Sequence, residues 1–507
     1  MRREFAVGLC AVMLLLSGCQ GLGVGTEDGA PGGENETLTV TENGTEEPTD
    51  ATVLELQTES GPSEGGGAAG GNSSAVPPDP EADRLGWENG VWHNESLDVD
   101  NSDGLNDSEL SAVVNRSMAR VEYVRGLEFE STVPVTTLSR AEYRSRSANG
   151  SYGDALRTFD NAKFEALFLI GEENSSIETQ ESTLGDSVQG YYSPATDEIV
   201  IVTNSETPRI GEGTLSHELV HALQDQQFGL AGEASTRDAL QGRNALIEGD
   251  ARTAETAYMD RCGSSWSCET VRQSGGGGSS NLHLGVFYMI YFPYSDGTAF
   301  VADLRDRGGW AAVNDAYDDV PEGAREVITP GDYPEWEPRT VTIPRPPGDD
   351  WEQVRPSTDR DRPDYATVGP SAIAATMAYT LFDDSKDAAV IPQLALFDYD
   401  TVDTDRYNYD LPGTSGWDGG RMQVYTNDGE TGYVWRTTWT NESAAEGFAA
   451  AWTDVIQYWG GERTADGNWR IEEGSPFTDA VAVRVEGDTV TVVNAPTEDG
   501  LSELYDG

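Results

Sequence analysis

The sequence predicts an α+β fold. Apolar residues recur at helical spacing in some segments and in short strand-like runs in others. Both patterns occur on either side of a Pro-, Asp- and Arg-rich stretch from Pro344 to Pro363, which reads as a linker. Twelve Trp and 20 Tyr among 507 residues supply large apolar groups for a core. That content separates the chain from acidic disordered proteins.

The first 19 residues carry an address. Arg2-Arg3-Glu4-Phe5 precedes an apolar run from Ala6 to Leu16, followed by Ser17-Gly18-Cys19. The run is too short to span a bilayer and reads as the apolar part of a signal peptide. The paired arginines resemble a twin-arginine export signal, and the small residues before Cys19 resemble a lipobox. That resemblance implies cleavage before Cys19, lipidation of its thiol and anchoring to the outer face of the cytoplasmic membrane. The bland alternative is a cleaved secretory peptide with an incidental cysteine. Residues 20–82 are rich in Gly, Glu, Thr, Ser and Pro and almost free of large apolar groups. They cannot offset the entropy of ordering and read as a tether. Sequons of the form N-x-S/T recur from Asn35 to Asn441, in keeping with an exported glycoprotein.

Charge points the same way. Asp and Glu total 89 against 32 Lys and Arg, for a net charge of −57. Lys163 and Lys386 are the only lysines. Self-repulsion strains such a chain at ordinary ionic strength. In about 1 M salt the Debye length falls to roughly 3 Å, so the surface reads as adapted to concentrated salt. No basic patch exists to meet phosphates, which argues against nucleic-acid binding.

The globular part, residues 83–343, is expected to begin with a helix from Ser108 to Arg125 and another from Asn161 to Gly171. Val188–Tyr192 and Glu198–Thr203 read as a hairpin around Ser193–Asp197. A strand beside an active helix can hold extended substrate by β-addition. The next helix carries His217-Glu218-Leu219-Val220-His221, an H-E-x-x-H motif in a chain with four histidines. Positions i and i+4 share a helix face, so both imidazoles can reach one ion. Zn²⁺ takes such nitrogens, and it makes water acidic enough to ionise near pH 7. Glu218 would stand beside the metal as general base. Leu219, Val220, Ala222 and Leu223 give this helix its buried sides, and Gly229 reads as its stop.

A third ligand is needed. Glu248 is the best candidate, on a helix from Arg237 to Tyr258 with apolar Leu240, Ala245, Leu246, Ala251, Ala254 and Ala257. A carboxylate buried among Ala and Leu needs a partner, and a metal is one. Gly249 is expected to let this helix approach the motif helix. Gln224 and Gln227 occupy the places of the glycine and last histidine of a longer H-E-x-x-H-x-x-G-x-x-H pattern, which excludes a third histidine of that type.

H-E-L-V-H followed by E-G-D-A resembles the gluzincins, zinc peptidases with a His, His, Glu triad. The resemblance implies a zincin-like core with His217, His221 and Glu248 on zinc and Glu218 as base. Arg252 stands where the E-x-x-x-D form has its aspartate, leaving Asp250 or Asp225 as candidates to accept a ligand's N–H. More broadly, residues 83–507 resemble haloarchaeal surface lipoproteins with such a core.

Cys262 and Cys268 read as a small disulfide after this helix. Gly275–Gly278 read as a loop. His283–Phe300 is aromatic and apolar and is expected to pack under the site. His283, Tyr291 and Tyr294 are candidate oxyanion stabilisers, with Tyr294 favoured because Pro293 and Gly297 bracket it; core aromatics are the bland alternative. Residues 364–507 form a C-terminal α+β unit. It has helices at Gly369–Phe382 and Ser443–Tyr458 and strands at Arg421–Tyr425, Gly432–Thr438, Ala480–Glu486 and Thr489–Val493. Gly416–Arg421 reads as a tight turn.

Two function classes follow. One is a membrane-anchored extracellular zinc peptidase acting on protein or peptide substrates. The other is a surface binding or structural lipoprotein that keeps the fold without turnover.

Overall fold

The computed structural model describes residues 77–506, apart from segments 149–151, 186–187, 206, 231–233, 270–281, 358–362, 384–385, 387 and 398–406. The signal peptide with Cys19, nearly all of the tether and the Gly275–Gly278 loop lie outside the described residues.

The fold is α+β. In chain order the elements are β1 (Trp87–Glu88), β2 (Val91–Trp92), α1 (Asp107–Arg125), β3 (Val135–Leu138), α2 (Arg140–Ala148), α3 (Asp154–Ala166) and α4 (Ser176–Gly185). Then come β4 (Gly190–Ser193), β5 (Glu198–Val202), α5 (Glu212–Phe228), α6 (Arg237–Met259), α7 (Leu284–Asp315), α8 (Ala324–Ile328), β6 (Glu352–Gln353) and α9 (Pro370–Tyr379). The chain ends with β7 (Trp417–Asn427), β8 (Glu430–Trp439), α10 (Glu442–Tyr458), β9 (Gly461–Arg463), β10 (Trp469–Ile471), β11 (Ala480–Glu486), β12 (Thr489–Ala495) and α11 (Glu498–Leu504).

Three helices form the frame of the N-terminal part. Asn106 caps α1, accepting from the Ser108 and Glu109 amides, while the Glu109 side chain returns to the Asn106 amide. This reciprocal capping box satisfies orphan donors at the helix start. Thr236 caps α6 by accepting from the Ala239 amide. The α6–α7 crossing is fixed by two glycines: a Cβ on Gly249 would lie 2.1 Å from the Gly297 carbonyl oxygen, and one on Gly297 would lie 2.3 Å from the Ala245 oxygen. The expected role of Gly249 is therefore corrected. It brings α6 against α7, not against the motif helix. α7 bends at Gly308–Gly309, where Gly309 has φ +66°.

Beside these helices lies a small sheet in the order β3-β5-β4, with β3 parallel and β4 antiparallel to β5. The hairpin is as expected; β3 was not read from the sequence. The C-terminal sheet runs β6-β7-β8-β12-β11-β10-β9. α10 packs on it through Phe448 and Trp452, whose rings meet Trp435 at 5.4 and 4.8 Å. One apolar cluster joins the two parts, from Phe164 and Phe168 through Phe292 and Phe300 to Trp435 and Trp452.

Three further expectations change. The second helix runs from Asp154 to Ala166 rather than Asn161 to Gly171. Phe168, at φ +49°, reverses the chain so that Leu167, Phe168, Leu169 and Ile170 all bury. The stretch read as a linker is tied to the sheet: Trp351 is buried and β6 pairs with β7 at Gln353–Tyr425. Gly416–Arg421 is the start of a strand rather than a plain turn, with a register shift between Trp417 and Gly419 that admits the Arg339 backbone.

Candidate metal centre

The motif helix α5 is held at both ends. At its start, the Glu212 carboxylate pairs with Arg116 at 2.5 Å and Arg120 at 2.6 Å, and accepts from the Glu269 amide at 2.7 Å. At its end, Asp225 accepts from the Leu230 amide at 2.6 Å and from the Tyr192 hydroxyl at 2.8 Å. Leu215, Leu219, Val220, Ala222 and Leu223 are all buried, which fixes the rotation of the helix. That rotation turns His217 and His221 toward α6.

The two Nε2 atoms lie 3.1 Å apart. Glu248 Oε2 lies 3.3 Å from the first and 3.4 Å from the second. All three side chains are buried. A tetrahedral ion with ligand bonds of about 2.0–2.1 Å requires its donors to stand roughly 3.3 Å apart. The observed triangle has that size, and Glu248 Oε2 has no hydrogen-bond partner among the described residues. Two imidazole nitrogens and a carboxylate oxygen are also the donor types zinc takes. The residues present therefore fit the ion.

Each of the three candidate ligands is oriented from behind. His221 Nδ1 lies 2.8 Å from Gln224 Oε1, and Gln224 Nε2 donates to the Ile247 carbonyl at 2.9 Å and to Asp250 Oδ2 at 3.1 Å. Those two acceptors fix which way the amide points, so its oxygen faces the ring and selects the Nδ1–H tautomer. Asp250 is anchored by Arg125 at 2.8 Å and by the Tyr317 hydroxyl at 2.8 Å. His217 Nδ1 lies 3.3 Å from Glu255 Oε2, and Glu255 is paired with Arg252 at 2.8 Å. The Tyr294 hydroxyl donates to Glu248 Oε1 at 2.9 Å.

Glu218 points elsewhere. Its Oε2 accepts from the Tyr192 amide of β4 at 2.9 Å, while Oε1 is buried without a hydrogen-bond partner among the described residues. Burial raises its pKa to about 7, against the opposing pull of the two histidines. With no cation bound, burial disfavours charge on His217, yet the carboxylates of Glu248 and Glu255 outweigh it and raise its pKa to about 9. Burial would likewise raise Glu248, but both histidines pull it down to about 2. The cluster is thus built for positive charge.

His217, His221 and Glu248 come together and Tyr294 reaches Glu248, while Glu218, on the same helix as the histidines, holds the Tyr192 amide. The other oxyanion candidates do not join them in the same way. His283 caps α7, accepting from the Val286 amide at 3.2 Å, and lies against Tyr379. Tyr291 stacks on Tyr294 at 5.8 Å. The expected orienters also change: Gln224 and Glu255 face the ligand rings, Asp250 stands one residue behind Gln224, and Asp225 holds Tyr192. Spacing carried the missed signal. Gln224 follows His221 by three and Glu255 follows Glu248 by seven, each on the ligand's own helix face. Arg252, at the position where the resemblance led one to expect an aspartate, pairs instead with Glu255, the carboxylate beside His217. Cys262 and Cys268 form a disulfide with Cα atoms 5.5 Å apart. Within that loop the Ser267 carbonyl accepts from Arg120 at 3.1 Å, linking it to the start of α5.

A family model described as a domain of unknown function (DUF8575) matches residues 353–505. The match takes in α9, the strands from β7 onward and α11, and does not reach the histidines. No curated protein and no solved structure matches the chain.

Proposed function

We propose that the chain is a zinc-dependent peptidase of the gluzincin type, with a zincin-like core in its N-terminal part. One observation carries this reading: three buried donors stand at the edge lengths of a metal tetrahedron while a neighbouring carboxylate oxygen is left without a partner. His217, His221 and Glu248 would hold the ion, with Glu255, Gln224 and Tyr294 fixing their directions. Bound zinc supplies Lewis acidity and makes water ionisable near neutral pH. Glu218 Oε1 takes the proton from the attacking water and returns it to the leaving amine. Burial holds its pKa at about 7 with no cation bound, and a bound cation would lower it toward the carboxylate form a base needs. The Tyr192 backbone N–H holds Glu218 through Oε2, which leaves Oε1 for the water. β4 is an edge strand beside α5, so an extended peptide can add to it and pass the site. Tyr294 is the candidate donor to the developing oxyanion, reached by releasing Glu248 Oε1. The signal region supports placing this enzyme at the cell surface through lipidated Cys19.

Purified in concentrated salt, the chain should carry one zinc by elemental analysis and cleave an unstructured protein such as casein. Glu218→Gln should keep the zinc and slow hydrolysis about 10²–10⁴-fold. Full activity in that variant would refute the role given to Glu218. Cys19→Ser should move the protein from the membrane fraction to the soluble one; continued sedimentation with membranes would refute the anchor.

A further inference from the structure

The hairpin of β1 and β2 is too small to stand alone. Each strand has two residues, paired at Trp87–Trp92 and Glu88–Val91. The turn between them is Asn89-Gly90, with φ of 46° and 90°, the pattern that closes a two-residue hairpin. A ribbon of this size is at best marginally stable in water, so docking on α1 decides whether it is held. Trp92 is buried, and Arg120 Nε donates to the His93 carbonyl at 2.8 Å.

A pair of buried carboxyls makes the remaining link. Glu122 of α1 is 0% exposed; it accepts from the Gly86 amide at 2.8 Å through Oε2 and from the Phe129 amide at 2.9 Å through Oε1. Glu88 of β1 is 3% exposed, and its side chain is hydrogen-bonded to that of Glu122. Two ionised carboxylates are acceptors only, so this bond requires one of the pair to carry a proton. Among the described residues, the other charged groups facing the pair are Asp83 ahead of β1 and Glu128 behind α1, both acidic. The cations nearby are turned elsewhere: Arg84 lies over the Trp92 ring, Arg120 pairs with Glu212 and Arg125 with Asp250. His93, beside Gly86, is held below its usual pKa range by burial and by Arg120 and Arg261. Burial drives both glutamates well above the usual carboxylate range, and each opposes ionisation of the other. Concentrated salt screens exposed charges and acts little on a buried pair.

We propose that Glu88 and Glu122 form a proton-operated clasp, which docks the hairpin on α1 while they share one proton and releases it when that proton is lost. The proton passes to solvent base, the pair goes from one negative charge to two, and no other bond changes. A glutamate in water ionises near 4.5, so the released hairpin gives up a proton that the docked one keeps. Docking is therefore strongest below that value and weakens as pH rises toward the raised value of the docked pair. The clasp also bears on the motif helix. Arg120, which holds the hairpin at His93, is the residue that pairs with Glu212 at the start of α5. It stands whether or not the histidines bind a metal.

Hydrogen exchange read by mass spectrometry tests the clasp in the full chain, in concentrated salt. After correction for the intrinsic rate at each pH, and with α10 as the reference, peptides covering residues 84–93 should open about tenfold more for each pH unit between about 5 and 7. Glu88→Gln keeps a donor to Glu122 with no proton to lose. Its hairpin should stay protected and its profile should be flat over the same range. A parent hairpin equally protected at both ends of that range would overturn the clasp, as would a Glu88→Gln profile as steep as the parent's. The parent series decides the matter even where the variant does not fold.

Discussion

The two parts of the molecule bury different kinds of side chain, for different ends. Around α10 and the C-terminal sheet, the largest buried side chains are Trp417, Trp435, Trp439 and Trp452. Their rings interlock with Phe448, as in the 4.8 Å stack of Trp439 on Phe448. Around α5 and α6 burial takes in charged side chains beside the apolar ones: Arg116, Arg120, Arg125, Glu212, Glu218, Glu248 and Asp250 are each 2% exposed or less. Apolar burial stabilises in proportion to area and tolerates rearrangement. Burying ions costs desolvation that their attraction only partly returns. The N-terminal part carries that cost in a connected network, from Arg125 through Asp250 and Gln224 to His221. Groups so arranged hold geometry rather than add stability, and the geometry held is that of His217, His221 and Glu248, the three candidate metal donors.

Substitutions in each part should separate these roles. The largest effect on metal is expected from Glu248→Ala, which removes a donor and the acceptor of the Tyr294 hydroxyl; zinc affinity should fall by more than about 100-fold, beyond the usual cost of losing an orienting group. Elemental analysis after dialysis measures it, and zinc content equal to that of the parent would show that another residue completes the triangle. Trp452→Ala should reverse the pattern. It should lower stability by about 3–5 kcal/mol in denaturant unfolding while each folded chain still binds zinc. Loss of the metal in that variant would show that the shared core couples the two parts. A smaller effect is expected for Glu255→Gln and Gln224→Met, which leave all three donors in place: competition with a chelator should show zinc affinity lower by about 10–100-fold.

The remaining effects are in pH. His217 with no cation bound holds its proton up to about pH 9, so zinc must displace it. Below that pH apparent affinity should weaken by about tenfold per unit, with proton release visible by calorimetry in buffers of different ionisation heat. Glu218 must be ionised to accept a proton, and its raised pKa of about 7 sets the acid limb of kcat/KM. Bound cation can only favour the carboxylate, so the limb should lie at or below that value. A limb well above pH 7 would assign the base elsewhere.

Legibility of the sequence followed locality. The motif helix and the helix bearing Glu248 were readable because each is a long run at a single period, and the ligand residues sit at fixed steps along them. The hairpin, α10 and the strands β8, β11 and β12 were readable for the same reason. Misreadings fell where distant contacts decide. Phe168 leaves helix because four consecutive apolar residues bury only if the chain turns. Trp351 and β6 look like linker because their apolar content is one ring, and only the edge of β7 gives that ring a place. Gly249 was rightly suspected of close packing, yet one sequence cannot say which helix approaches it.

By itself, the sequence determined that two histidines share a helix face, that a glutamate stands between them and that another carboxylate lies buried on the next helix, since each is a matter of period and composition. Only the tertiary structure decided that these groups converge, that Gln224 and Glu255 orient the rings and that Tyr294 closes on Glu248. Those contacts depend on the angle at which α5, α6 and α7 cross, set by opposed glycines and buried ion pairs between residues far apart in the chain.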